Sequence, residues 1–466
     1  MARVNNAPSA FSSSMDPSGV LFDEGPSLLR AIHPEFSGFF TSLLSNQVVK
    51  ELIGKEIVDT AVSAKRKPGF SLVLEHRRIQ PVNFCYEWPS AMLRDAALQT
   101  LTLCSRLAPE GLVLKDATPW NIVYEHAKPV FIDFASISTQ EKDLMWVALD
   151  QYYRLFLFPL LLADRGLGKF VRAGFLASQQ GITDEEIVRF LPRSLRLKYP
   201  WLTSRLYFPR MLISLLRSSG QDKDIKKYLR NVSIAPKQRL DFFESLTQDT
   251  ASINLGQQDS RWSRYYENMG QFFNPGAFNQ KQKVIAGLLD DLKPRTLVDI
   301  GCNMGGYAIL AAQAGADVVA FDTDEDSINK LYRLVKEKDL PILPLVLDAV
   351  NPSPAAGYRG QQYPPAVQRF RSEGAFGLAL THHLAISQNQ PFSRIAGELS
   401  DYCDKWLVTE FVPMSDPRVQ ELLATSRRDM GWYSLEAFIA AFKQEFRKVE
   451  TFPSHPEGRV LCLCSK

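Results

Sequence analysis

VDIGCNMGGY, Val298 to Tyr307, decides how the second half of this chain folds. The apolar run Thr296–Ile300 (TLVDI) reads as a strand, a turn of small residues follows, and Met304–Ala314 reads as a helix. A glycine-bearing turn between strand and helix lets the backbone approach a ligand closely. It also aims the first N–H groups of the helix at an anionic group. A dinucleotide site asks for G-x-G-x-x-G, its middle glycine touching the pyrophosphate. The matching positions here are Gly301, Asn303 and Gly306, so the middle glycine is replaced.

Working outward, strand and helix patterns alternate. Asp317–Asp322 (DVVAFD) reads as a second strand, and Asp324 caps a helix with Ile328, Leu331, Leu334 and Val335 on one face. Ile342–Leu347, Phe376–Thr381 and Trp406–Val412 read as the third, fourth and fifth strands. Strands separated by helices predict a parallel sheet covered on both faces. Lys448–Phe452 and Arg459–Cys464 are joined only by PSHPEG, too short for a parallel crossover, so this last pair is expected to be antiparallel. The expected fold class is α/β, a Rossmann-like sheet ending in an antiparallel hairpin.

The replaced glycine points away from a pyrophosphate and toward S-adenosylmethionine (SAM), whose anionic group is a carboxylate. In that reading Asp299 faces the ligand's ammonium. Asp322, about 20 residues past the glycine turn, bonds the ribose hydroxyls. Asp348, in LVLDAV, accepts from the adenine amino group. Gly301, Cys302, Asn303 and Gly305 shape the turn, and Thr323, Ala349 and Thr381 complete the expected cofactor set. From the turn alone, a dinucleotide site and a ligand-free scaffold stay open. So do plain turn or loop roles for Asp322 and Asp348.

Methyl transfer to a hydroxyl requires a group to remove its proton. His382 and His383 are expected at the end of the fourth strand, where at most one would face the site because strand neighbours point opposite ways. Glu410, ending the fifth strand, is the other candidate acid or base. Structural roles for all three stay open, as a backbone bond for a histidine or a buried ion pair for Glu410. Trp262, Tyr265 and Tyr266 read either as a lid or as packing. Gln361 and Tyr363 lie in a long loop that would help bind the acceptor.

The strings SRWSRYY (260–266), LVDIGCNMGGY (297–307), VVAFDTDEDSI (318–328), LALTHHLAIS (378–387) and VTEFVPMSDPRVQ (408–420) resemble SAM-dependent methyltransferases related to rhizobial nodulation-type methyltransferases. The resemblance also covers CYEWPSAMLRDAAL (85–98) and LKDATPWNIVYEHAKPVFIDFAS (114–136). It implies a class I methyltransferase sheet and transfer of a methyl group from SAM. Acceptors in such proteins are poorly defined; a small molecule or glycan, methylated at a hydroxyl, is expected.

The first half carries a second spacing. Asp116 and Asn121 match the D-x-x-x-x-N of kinase catalytic loops, and Asp133 follows on an apolar strand where kinases hold a metal-binding aspartate. An active phosphotransferase would use Asp116 as base, would hold Mg²⁺ with Asn121 and Asp133, and would take ATP as its cofactor. The departures are Leu114 at the catalytic-loop histidine, Ala135 in place of the glycine, and no glycine-rich phosphate loop. Gly19–Ile32 reads as a shortened hairpin with no ATP-binding lysine after it. A kinase-like α/β to helical domain that recruits the acceptor is therefore expected. A bifunctional kinase–methyltransferase and a SAM-binding interaction protein without turnover are the alternatives.

The 466 residues predict more than one core: a disordered tail (1–17), the kinase-like domain (18–245), a polar linker (246–260) and the methyltransferase domain (261–466). Hydrophobic residues at 45% and charged ones at 23% suit a globular chain. The net charge of +3, with no basic run, argues against a nucleic-acid partner. The longest lipid-like run, Leu155–Ala163, is far short of the roughly 20 residues a spanning helix requires, and reads as a buried helix. The six cysteines show no zinc spacing and read as reduced buried thiols, which makes the cytoplasm the expected compartment.

Overall fold

The structure is a computed structural model and describes residues 10–11, 16–141, 145–192, 194–207, 234–255, 260, 269–424 and 429–466. Most of the expected tail, and the aromatic residues Trp262, Tyr265 and Tyr266, lie outside the described residues. The chain divides into two units. The first is Met1–Tyr86, Ser90–Glu125 and Pro129–Gly256; the second is Glu87–Pro89, His126–Lys128 and Gln257–Lys466.

In the first unit, β1 (Ala10–Phe11), β2 (Gly19–Glu24), β3 (Ser27–Ile32), β4 (Thr60–Val62) and β5 (Leu72–Arg77) form an antiparallel sheet in the order β1-β2-β3-β5-β4. Two short ladders follow, β6 (Leu112–Leu114) with β9 (Ile137–Thr139), and β7 (Ile122–Glu125) with β8 (Lys128–Phe131). The helix Ser90–Leu107 buries Met92, Ala96, Leu103 and Leu107 along one face and packs on the helix Pro236–Ser252. The run at 155–163 forms a π-helical turn, Tyr153–Leu157, continuing into the helix Phe158–Ala163, with most of its side chains buried. Among the described residues no helix is long and apolar enough to cross a membrane.

The expected linker needs correction. Residues 247–252 are the last turns of the helix Pro236–Ser252, and Thr250 is fully buried with its hydroxyl 2.9 Å from that of Tyr152. Its polar composition belongs to a helix with one wetted face, which composition alone does not separate from a linker.

The second unit holds β10 (Thr296–Ile300), β11 (Asp317–Asp322), β12 (Ile342–Val346), β13 (Ser372–Gly377), β14 (Cys403–Phe411), β15 (Lys448–Pro453) and β16 (Val460–Ser465). Their order is β12-β11-β10-β13-β14-β16-β15. β10 to β14 run parallel, and β16 lies antiparallel between β14 and β15. β10 and β12 are near-continuous apolar runs because both of their faces are covered. The helices Gly306–Gln313 and Glu325–Lys338 supply part of that cover through Ala308, Ile309, Ile328, Leu331 and Val335. Asp324 caps the second of these, accepting from the Asp326 N–H at 3.0 Å. The strand order reverses at β10, which leaves a crevice at the carboxyl ends of β10 and β13, where open α/β sheets bind ligands.

β13 stops at Gly377, four residues before the expected end. Its neighbour β10 turns away at Gly301, so backbone beyond Gly377 has no ladder partner on that side. The chain turns through Ala379 (φ 50°) and enters helical backbone at Thr381, leading into the π-helical turn His383–Ser387. The two histidines therefore sit on a helical turn and do not alternate as strand residues.

Candidate functional site

The turn after β10 is held by its own backbone. Gly301 and Cys302 donate their N–H groups to the Phe321 carbonyl at 2.9 and 3.0 Å, and the Gly305 N–H closes the turn on the Cys302 carbonyl at 2.8 Å. Gly301 (φ 70°) and Gly305 (φ 75°) adopt the left-handed backbone that glycine takes without strain. A Cβ at Gly305 would lie 2.6 Å from Leu331, so the second glycine also lets the helix pack onto its neighbour.

This turn borders a cavity of about 330 Å³ at the carboxyl edge of the sheet, at the low end of the size range for small-molecule sites. Of the residues expected to hold a cofactor, Asp299, Gly301, Cys302, Asn303 and Asp322 line it, as do Thr323, Asp348 and Ala349. Gly305 and Thr381 do not. Gly305 acts through the turn, while Thr381 is fully buried and donates its hydroxyl to the Glu410 carbonyl at 2.7 Å.

Asp299 is only 2% exposed, and its Oδ2 has no hydrogen-bond partner among the described residues. Burial pushes its pKa up to about 7, opposed in part by the Ala308 N–H. Asp322 is anchored on both oxygens, accepting from the Asn303 N–H and the Asp324 N–H at 2.9 Å each. Burial raises its pKa as well, against those two N–H groups. Asp348 is oriented by the Val350 N–H at 2.9 Å.

His382 and His383 both line the cavity, their ring centroids 4.1 Å apart. His382 is 2% exposed and its Nδ1 has no partner among the described residues. Burial, with additions from His383, Arg459 and Lys281, lowers its pKa to about 2, so the ring is neutral. His383 is half-buried.

Glu410 is placed away from the cavity. It is fully buried, with Oε2 accepting from Lys281 Nζ at 2.7 Å and Oε1 from Ser454 Oγ at 2.5 Å. The expectation of Glu410 as an acid or base facing substrate is thereby corrected: both of its oxygens are engaged, and Lys281 stands at the cavity wall in its place. Gln361 and Tyr363 are also outside the lining; Tyr363 forms an isolated bridge with Ala356.

Three lining cations were not singled out from the sequence: Lys281, Arg418 and Arg459. Arg459 is clamped by Asp416 through Nε–Oδ2 (2.8 Å) and a second contact to Oδ1 (3.2 Å), with both side chains nearly buried. Burial works against ionisation of Asp416, but Arg459 and the Arg418 N–H hold its pKa below the usual carboxylate range. The signal available was a lone arginine between a turn and an apolar strand, GRVLCLC, which does not reveal its partner.

In the first unit, Asn121 ends a short 3-10 turn, Pro119–Asn121, and Asp133 precedes another, Phe134–Ser136. The cation beside Asp133 is the chain's own: Arg30 donates to its Oδ1 at 3.2 Å and also pairs with Asp16. Burial and the Asp133 charge raise the pKa of Asp116. Among the described residues no group of three or more His, Cys, Asp or Glu is arranged to hold a metal ion.

No protein-family model matches the chain. It is 29% identical over 448 residues to the nodulation protein NoeA of Rhizobium meliloti (strain 1021), covering 93% of this chain and 91% of that relative. The resemblance to a rhizobial nodulation protein thus runs along nearly the whole sequence. Among solved structures, the bifunctional kinase-methyltransferase WbdD is similar at 17% identity and TM-score 0.30, over 42% of this chain and 42% of that one. The magnesium protoporphyrin IX methyltransferase ChlM from Synechocystis PCC 6803, with bound SAH, is similar at 14% identity and TM-score 0.29, over 42% of this chain and 91% of that one. The match to WbdD spans less than half of that protein's length.

Proposed function

We propose that the second unit binds S-adenosylmethionine and transfers its methyl group to a hydroxyl of a small-molecule or glycan acceptor. The observation that carries this reading is Asp299. Asp299 is next to last in a central parallel strand, lines the cavity and has one buried oxygen without a partner among the described residues. An unsatisfied buried acceptor costs roughly 1–3 kcal/mol or more unless a ligand supplies a donor, and an ammonium group is the donor that suits a carboxylate best.

The remaining lining fits the rest of that cofactor. Gly301, Cys302 and Asn303 border the cavity, their own N–H groups already bonded to the Phe321 carbonyl and to Asp322. Asp322 ends the second strand at the position that takes ribose hydroxyls, and Asp348 with Ala349 borders the place for the base. Asn303 stands where a dinucleotide's pyrophosphate would require glycine, which disfavours that rival. The cofactor, when bound, supplies a methyl group on a positively charged sulfur.

The chain's part is position and proton handling. Transfer of that methyl group to a hydroxyl would free the hydroxyl proton, which a base of this chain would have to accept. His383 is the group suited to take it. His382, with its pKa near 2, is too weak a base at neutral pH and serves to orient through a neutral hydrogen bond. Calorimetry of the full chain with S-adenosylhomocysteine, the demethylated product, tests the reading. Binding is expected, and loss of binding in Asp322→Ala is expected with it. If the wild-type chain does not bind that nucleoside, the proposed function is wrong.

A further inference from the structure

The charges along the carboxyl edge of the second-unit sheet are ordered. From β12 toward β16 the cavity meets Asp348, Asp322 and Asp299 after or at the ends of β12, β11 and β10. His382 and His383 then follow β13. Beyond them come Arg418, which follows β14 and pairs with Glu421 at 3.4 Å, and Arg459, which precedes β16. β16 runs antiparallel with Val460 opposite Phe411, so its first residue belongs to the same edge as the end of β14. One half of the cavity carries the aspartates, the other presents guanidinium groups, the histidines stand between, and Lys281, paired with Glu410, is a further cation of the lining.

The acidic half suits the cofactor, whose net charge is positive. Arg459 stands well along the sheet from Asp299, beside which the cofactor's carboxylate would lie. That carboxylate shares a carbon with the ammonium facing Asp299, whereas three strand spacings, roughly 14 Å, separate β10 from β16. Arg459 is clamped on its far side by Asp416, which is not part of the cavity lining. The guanidinium is therefore held in place before any ligand arrives, which lowers the entropy cost of binding. His382 Nδ1, buried and without a partner among the described residues, marks a place at the boundary between the halves where a ligand atom would complete the hydrogen bonding.

Resting on the SAM reading, we propose that the acceptor is an anionic small molecule whose carboxylate or phosphate docks on Arg418 and Arg459, turning its hydroxyl toward His382 and His383. Arginine suits both anions because its planar fork matches either one.

The test uses the full chain saturated with S-adenosylhomocysteine, titrated in parallel with inorganic phosphate and with acetate. At least one anion is expected to bind in the millimolar range, and the tighter one identifies whether the acceptor's charge is phosphate or carboxylate. Arg418→Gln, a change at an exposed side chain, is expected to weaken that anion about tenfold while leaving nucleoside affinity unchanged. Arg459→Lys, which keeps a cation against Asp416, is expected to weaken it as well. If the nucleoside binds but neither anion does, or if Arg418→Gln and Arg459→Lys both bind the anion like wild type, this proposal is overturned and the cofactor reading stands. If the nucleoside itself fails to bind, both fall.

Discussion

Asp299 joins stability and binding in one carboxyl group. Its folded-state pKa of about 7 lies above the ordinary 3.8, chiefly because of burial. Between those values the folded chain holds a proton that the unfolded chain has released, so this group's contribution to stability is full below pH 4 and is lost as pH rises through 7. A ligand ammonium reverses the balance by favouring the ionised form. Nucleoside affinity is accordingly expected to tighten as pH rises through about 7, with proton release detectable by calorimetry in buffers of different ionisation enthalpy. Asp299→Asn should weaken binding by roughly two orders of magnitude and flatten the pH dependence of unliganded melting. Wild-type affinity in that variant would remove the main support for the cofactor reading. At the neighbouring pair, His383→Ala is expected to lower kcat by about 10²–10⁴, and His382→Gln, which keeps a neutral hydrogen-bonding group, should cost far less. A pH–rate profile of each variant separates a proton acceptor from an orienting group.

At the scale of elements, the β10–helix turn depends on two close approaches. Gly305 needs a left-handed backbone and has Leu331 against it, so Gly305→Ala is expected to cost about 1–3 kcal/mol and to loosen the turn that faces the ligand. Urea denaturation gives the stability loss, and nucleoside titration shows whether affinity falls with it. Gly374 on β13 packs under the Trp406 indole with no room for a methyl group, so the sheet's centre is fitted around a missing side chain. Gly374→Ala should therefore destabilise the fold without touching the cavity residues directly.

For the molecule as a whole, buried ion pairs bind distant parts of the sequence into the second unit. Glu87, fully buried, receives a two-pronged contact from Arg369, one prong at 3.0 Å. Lys281 and Glu410 form another such pair at the cavity wall. Removing one partner strands a buried charge at about 3–5 kcal/mol, whereas replacing both by apolar groups is often near neutral. Glu87→Leu alone is expected to lower the unfolding free energy by that amount. Glu87→Leu with Arg369→Met should recover most of it. Equal losses in the single and double variants would show that the pair itself carries the stability. A fragment beginning at residue 257 lacks Glu87, so it is expected to be less stable than the full chain by a similar margin.

What the sequence determined unaided was local and periodic. The apolar runs at Thr296–Ile300 and Asp317–Asp322 coincide with strands, Asp324 caps its helix, and the small-residue turn from Gly301 is where the cavity opens. Those features are legible because each depends on residues within one or two turns of chain. The end of β13 was not, because it is set by where a neighbouring strand turns away. Residues 247–252 were misread because a wetted helix face and a linker share a composition. The role of Glu410 was hidden until Lys281, more than a hundred residues earlier, came within hydrogen-bond distance. The pairing of Arg459 with Asp416, and the sorting of acids and guanidinium groups to opposite halves of one cavity, follow from strand order. Charge and hydrogen bonding act through space, so only the folded chain decides which carboxylates are engaged and which face a ligand.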